Sequence, residues 1–448
     1  MNKRIRLISL SCAIFIAASI FTGCKGSSEK AGGNSAATAD TKKNVTLRMG
    51  WWGSDARHKA TLEALKQYSE KNPNIKIEGE YAAFDAYYQK LMTQFAGGTA
   101  PDIMQVSSTW LPDLSNFAGR QILVDYKTDK DVQSIKTNIF DSKILSDVCT
   151  INGKLLGLPT AINVDPALLV NADFFAKFNI PTNTVWDWDN LLSIGKEVHQ
   201  KDSKAYLVHS EISILRELFT TYVSQKTGKQ FITSDYTLGF GKDDIVDAYK
   251  YIQKLYAEGV LQPYSDALAF DNKPAESPKW INGEAGMVLT PVGTYSAFNK
   301  GSAKYVGSKF PVAKDAKDSF LGLTSTMLIA TNNSSANKKE AAEFINWFFT
   351  DKDAIMTLGE VRGPQPTENG RKILLDANKT DKNVNESIDL VSKQSGTAQN
   401  LLYAVATFQK VIDDSMQKVL FNKSTPDAAA DELIKLLQQK CNESKKAK

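Results

Sequence analysis

The chain has 448 residues, of which 42% are hydrophobic, 10% aromatic and 23% charged; this is more than one hydrophobic core usually serves and too aromatic for a disordered protein, so two domains or one bilobed unit are expected. Of the formal net charge of +4, Lys3, Arg4 and Arg6 lie in the first 23 residues, and the near-neutral remainder excludes a nucleic-acid partner held by net charge. None of Cys12, Cys24, Cys149 and Cys441 stands in a C-x-x-C pair, which excludes a disulfide framework and a zinc ribbon.

Lys3, Arg4 and Arg6 precede an apolar run, Leu7 to Phe21, broken only by small residues such as Ser9, Ser11 and Ser19. This is the pattern of a secretory signal, and the run is too short to span a bilayer comfortably. It ends in Phe21-Thr22-Gly23-Cys24, which resembles the bacterial lipobox, with Phe where Leu is more usual. The reading is a signal peptide over 1–23 and a lipidated Cys24. Residues 25–44 hold no aromatic and no aliphatic larger than Ala, so they cannot offset their ordering entropy and read as a flexible tether. The protein is expected on the outer face of the cytoplasmic membrane or in a periplasm, working in the aqueous phase.

Val45 to Met49 alternates as a strand and stops at Gly50-Trp51-Trp52-Gly53. Ser54 or Asp55 then caps a helix to about Lys71, ended by Asn72-Pro73-Asn74. Ile75 to Tyr81 is a second strand. Asp85 caps a second helix with Tyr88, Leu91, Met92 and Phe95 at i, i+3, i+4 and i+7, closed by Gly97-Gly98. Asp102 to Val106 is a third strand. Strands alternating with helices predict an α/β fold with a largely parallel sheet, whose ligands sit beyond the carboxyl ends of the strands. Trp51, Trp52 and Asp55 follow the first strand; Ser107, Ser108 and Trp110 follow the third. Adjacent tryptophans in extended chain point to opposite faces, so at least one is expected to be exposed. Aromatic faces beside carboxylates and amides suit a sugar ring.

The stretch 68–106, YSEKNPNIKIEGEYAAFDAYYQKLMTQFAGGTAPDIMQV, resembles the family 1 extracellular solute-binding proteins of ABC importers. INGKLLGLPTAINVDPALLVNADFF (151–175), IPTNTVWDW (180–188), WINGEAGMVLTPVGTY (280–295) and NNSSANKKEAAEFINWFFTD (332–351) follow in family order. WWGSDARHKATLEAL and GGTAPDIMQVSSTWL resemble members that bind oligogalacturonides and rhamnogalacturonan fragments, although Phe84-Asp85 stands where those carry Trp-Asp.

The resemblance implies a two-lobed, type II-like periplasmic-binding-protein fold with the cleft between lobes joined by a multi-strand hinge. One lobe would hold 45–163 and 320–368, the other 164–319 and 369–448. It implies stacking on Trp51, Trp52, Phe84, Trp110 and Tyr295, hydrogen bonds from Asp55, Ser107, Asp165 and Gln365, and a carboxylate clamp by Arg57 or Arg362, since a guanidinium takes a uronate bidentately. Cys149 and Cys441 would lie either side of the hinge as unpaired thiols. The implied protein is a monomeric, lipid-anchored receptor that captures an oligosaccharide by lobe closure and delivers it to a permease, without cofactor or metal. Alternatives are a receptor for a polyamine or glycerol phosphate, and a surface polysaccharide lyase or glycoside hydrolase. Against an enzyme, Asp243-Asp244 and Asp413-Asp414 are neighbours that point apart on a helix, reading as a cap and a solvated face. His58, His199 and His209 show no metal-ligand spacing.

Overall fold

The computed structural model describes residues 43–448 apart from 166, 271–272, 291, 299–303, 394–395, 401 and 447–448. The signal sequence, Cys24 and the tether through residue 42 lie outside the described residues.

Strand β1 (Val45–Trp52), helix α1 (Asp55–Lys71), β2 (Ile75–Ala82), helix α2 (Phe84–Gly97) and β3 (Ile103–Ser107) form where alternation and periodicity place them. Two local readings change. Ala83, not Asp85, precedes the first turn of α2, and Asp85 lies within that turn, where its charge favours the helix dipole. The buried stripe of α2 is Tyr87, Leu91 and Phe95; Tyr88 turns toward the end of the sheet instead. Gly98 closes α2 at φ +69°, the left-handed conformation glycine adopts without strain.

After α3 (Leu111–Leu114) the chain makes a small hairpin, β4 (Thr150–Ile151) and β5 (Lys154–Leu155), then β6 (Leu158–Pro159) and β7 (Asn163–Asp165). It continues through β8 (Leu168–Asn171), β9 (Tyr206–Val208), β10 (Ala285–Leu289), β11 (Tyr305–Ser308), β12 (Gly322–Thr324) and β13 (Met327–Thr331). Among the described residues the larger sheets have the orders β2-β1-β3-β13-β6 and β11-β8-β10-β9. In the first sheet β1 is parallel to both β2 and β3, while β13 returns antiparallel to β3. Going from β1 to β2 and then back across β1 to β3 with right-handed crossovers puts α1 and α2 on opposite faces. The carboxyl ends of β1 and β3 therefore form a topological switch point, where such sheets open a crevice.

The sheets are linked by a short antiparallel ladder in which β7 pairs with β12, Asn163 opposite Thr324 and Asp165 opposite Gly322. β12 runs into β13, whose first residue, Met327, faces Ser107 at the carboxyl end of β3. β7 runs into β8, whose first residue, Leu168, faces Leu289 at the carboxyl end of β10. The carboxyl ends of both sheets are thus turned toward the linking ladder. A further passage lies between helix Glu368–Asp376, packed on helix Lys352–Leu358, and helix Lys382–Ser392, packed on β11.

Both tryptophans of β1 are buried, Trp51 at 0% exposure and Trp52 at 8%, contrary to the expectation that one is exposed. They do point to opposite faces, but helices cover both faces of this mixed sheet where β1 runs parallel to β2 and β3. Trp51 fits because β2 offers Gly79: a Cβ there would stand 2.6 Å from the Trp51 ring. Gly79→Ala is accordingly expected to cost about 1–3 kcal/mol of stability through overpacking, read as a lower urea midpoint.

Candidate ligand-binding site

At the switch point the end of β1, the loop after β3 and the start of α2 bring four aromatic rings together. Trp52 lies 5.3 Å from Phe84 and 5.1 Å from Trp110, Phe84 lies 5.2 Å from Trp110, and Tyr88 lies 4.7 Å from Trp110. Tyr87 backs the group against Trp52 and donates its hydroxyl to the Gln105 carbonyl. Phe84 is 45% exposed and Trp110 half-buried, whereas Trp52 is largely covered by them. The result is an aromatic platform with Trp52 as its base and Phe84, Trp110 and Tyr88 as its upper surface. Ser107 is buried, its hydroxyl paired with Thr109 at 2.8 Å, so it shapes the turn that carries Trp110. Asp55 is exposed in the first turn of α1.

Arg57, in the same turn, folds back over the end of β1. Gly53 makes this possible, since a Cβ there would meet the Arg57 side chain at 2.5 Å. Arg57 Nε donates to the Val361 carbonyl at 2.8 Å and Nη1 to the Trp52 carbonyl at 3.0 Å. Among the described residues no carboxylate pairs with it, and burial holds its pKa below the ordinary value. A half-buried guanidinium anchored by neutral carbonyls keeps its charge for an incoming anion.

Four expected contacts are placed differently. Trp51 is core: its Nε1 donates to His58 Nδ1 at 3.1 Å, which puts the His58 proton on Nε2, and His58 stacks on Tyr81 at 4.3 Å. Tyr295 is buried, its hydroxyl donating to the Leu168 carbonyl at 3.2 Å, because the segment after β10 folds onto β8. Arg362 is 5% exposed and reaches back into the first sheet, with Nε donating to Gln105 Oε1 and Nη2 to Thr61 Oγ1, both at 2.9 Å. Burial and the neighbouring Arg57 charge lower its pKa to about 9. Gln365 is likewise buried, donating to the Gly359 carbonyl. Both belong to a loop that returns beneath the site: Ile162 N donates to the Pro364 carbonyl at 2.9 Å, and Gly363 takes φ +111° beside Ala161. The Asp165 backbone pairs with Gly322; its side chain lies outside the described residues.

The second sheet contributes a group that its sequence did not announce. Beyond β9, helix Ile212–Thr227 carries Arg216, which grips Asp413 through Nη1 at 2.7 Å to each carboxylate oxygen. Glu217 accepts from the Tyr403 hydroxyl at 2.7 Å. Burial raises the pKa of Asp413 despite Arg216, and that of Glu217. Asp413 is therefore a half-buried ion-pair partner and only Asp414, paired with Lys410, keeps the solvated face expected of both. Among the described residues no group of three or more His, Cys, Asp or Glu could hold a metal ion, and no helix is long and apolar enough to cross a membrane. Cys149 and Cys441 are both buried and unpaired.

Residues 53–355 match the model of the bacterial extracellular solute-binding protein family. The chain belongs to that family. A putative binding protein of Brucella abortus is 24% identical over 292 residues, 64% of this chain and 67% of that one. Among solved structures, one described as a de novo designed cysteine esterase superposes with TM-score 0.80 at 24% identity, covering 90% of this chain and 99% of the other. A periplasmic oligogalacturonide-binding protein from Yersinia enterocolitica superposes with TM-score 0.77 at 24% identity, covering 90% and 100%. At these identities the likeness to solved structures is one of fold, an α/β periplasmic-binding-protein fold, and it is the family model that marks the chain as an extracellular solute-binding protein.

In this solute-binding protein Arg362 acts as a strut beneath Arg57. Arg362→Ala would leave the Gln105 and Thr61 acceptors unpaired in the interior and is expected to cost about 2 kcal/mol or more in chemical denaturation. A change within about 0.5 kcal/mol would mean that Arg362 faces solvent or ligand instead.

Proposed function

We propose that the protein is the substrate-binding lipoprotein of an ABC importer and captures a uronate-containing oligosaccharide, such as a pectin fragment, without chemical change. The observation that carries this reading is the aromatic platform of Phe84, Trp110 and Tyr88 beside an Arg57 guanidinium that is held by backbone carbonyls. A sugar ring presents C–H groups to an aromatic face, and a uronate adds a planar carboxylate that a guanidinium accepts. The name of the Yersinia neighbour, an oligogalacturonide-binding protein, supports the same ligand class.

In this proposal one lobe comprises 45–163 with 320–376, its boundary moved from residue 368 because helix Glu368–Asp376 packs on helix Lys352–Leu358, and the other comprises 164–319 with 382–448; they close about the β7–β12 ladder and the 377–381 passage. Closure around the ligand presents a composite surface to the permease, which a separate ATPase powers. The protein acts as a monomer, tethered by a lipid on Cys24.

Two measurements test this. Isothermal titration with oligogalacturonides is expected to show tight binding that weakens by about tenfold or more in Arg57→Ala, as for a lost charge-assisted pair. Trp110→Ala is expected to weaken acidic and neutral sugars alike, and the sugar is recovered intact. Binding of neutral sugars alone would remove the uronate, and shortened products would indicate an enzyme. Cys24→Ser is expected to move the protein from the membrane fraction to the soluble one.

A further inference from the structure

Arg57 and Arg362 come from distant parts of the chain, α1 and the loop before helix Glu368–Asp376, yet one set of acceptors holds both. The Trp52 carbonyl accepts from Arg57 Nη1 at 3.0 Å and from Gln105 Nε2 at 3.3 Å. The other end of that amide, Gln105 Oε1, accepts from Arg362 Nε at 2.9 Å. Thr61 repeats the link: its hydroxyl donates to the Arg57 carbonyl at 2.8 Å and accepts from Arg362 Nη2 at 2.9 Å. A third tie is the chain itself, since Arg57 Nε donates to the carbonyl of Val361, the residue before Arg362. The two guanidiniums therefore belong to one hydrogen-bonded cluster.

Every acceptor in that cluster is neutral. Gln105, at 0% exposure, puts an amide where a carboxylate would cancel a charge. The Phe348 ring, 5.6 Å from Arg362 Cζ, attracts a cation through its quadrupole but carries no net charge. Among the described residues no carboxylate pairs with either arginine, and burial, then the Arg57 charge, pull the pKa of Arg362 down to about 9. A buried cation without a counter-charge is costly, and folded proteins ordinarily pair such groups.

Arg362 also keeps one donor unused. Its Nε and Nη2 are engaged, while Nη1 is buried and has no hydrogen-bond partner in the protein. Water could accept that hydrogen bond but would leave the charge uncompensated, whereas an anion answers both needs. Arg362 is only 5% exposed, so the anion must be small and weakly hydrated, as a halide is and a phosphate is not.

We propose that a chloride-class anion binds at Arg362 Nη1, in the field of Arg57, at the carboxyl end of β1. The anion site does not rest on the oligosaccharide reading. Its consequence for ligand choice does: an anion that already offsets the positive charge weakens the pull of Arg57 on a uronate, so chloride competes with acidic sugars.

The deciding test is a crystal of the protein grown in millimolar bromide and read by anomalous scattering at the bromine edge. A bromide peak within hydrogen-bond reach of Arg362 Nη1 is expected. A water at Nη1, or no density there, overturns the site; a peak seen only in molar bromide means an adventitious ion only and overturns it as well. In solution, replacing chloride by the bulkier methanesulfonate at constant ionic strength is expected to lower the thermal unfolding midpoint. Gln105→Glu, which sets a carboxylate against Arg362 Nε, is expected to abolish that dependence; a dependence unchanged in this variant would place the anion elsewhere and overturn the assignment. The bromide crystal needs no variant and decides the site if Gln105→Glu does not fold. Isothermal titration with digalacturonic acid then reads the competition, with affinity expected to be about three- to tenfold weaker in chloride than in methanesulfonate. Equal affinities overturn the competition. Failure to bind this sugar in either salt would overturn the oligosaccharide reading and leave the anion site to be decided by the bromide peak.

Discussion

Everything at the site depends on the fact that two adjacent residues of a strand cannot share a face. Trp51 and Trp52 end β1, the strand from which the chain turns first to β2 and then back to β3. Trp51 is driven under α1, where Gly79 leaves room for it, and Trp52 under α2. Each carries a different surface above it. Over Trp51 lie His58 and Tyr81; over Trp52 lie Phe84 and Trp110. In the second arrangement the base, Trp52, is packed by Phe84, Tyr87 and Trp110, which would limit the entropy lost on stacking if the proposed sugar lies on it.

The charge of the site follows the same economy of placement. Burial disfavours the positive charge of both Arg57 and Arg362, and Arg57 adds to this at Arg362, yet among the described residues neither has a carboxylate partner. The pair is held by carbonyl, amide and hydroxyl oxygens. Such a site is costly when empty and is relieved by an anion, so selectivity for an acidic sugar would come from the ground-state arrangement of the protein. Arg362 adds to the local positive potential while being too buried to touch the ligand.

Much of the first sheet and its helices was legible in the sequence because these elements are local. Alternation in β1, the i, i+3, i+4 stripe of α2 and the Gly97-Gly98 stop each operate within a few residues. The same locality made Trp52, Phe84, Trp110 and Arg57 readable, since they follow strand ends or open helices. What failed was burial decided by distant chain. Trp51 is covered because β2 carries a glycine opposite it, Tyr295 because its segment folds onto β8, and Arg362 because its loop returns under α1. Asp413 and Arg216 are 197 positions apart, and nothing near either announces the other.

In the proposed function the Trp52-based platform and Arg57 together form the sugar site. A crystal structure of the protein with digalacturonic acid tests it most directly. One sugar ring is expected to lie on the Phe84–Trp110 surface with a carboxylate on the Arg57 guanidinium. A ligand seated elsewhere, with those rings uncovered and Arg57 still bound only to Trp52 and Val361, would contradict it.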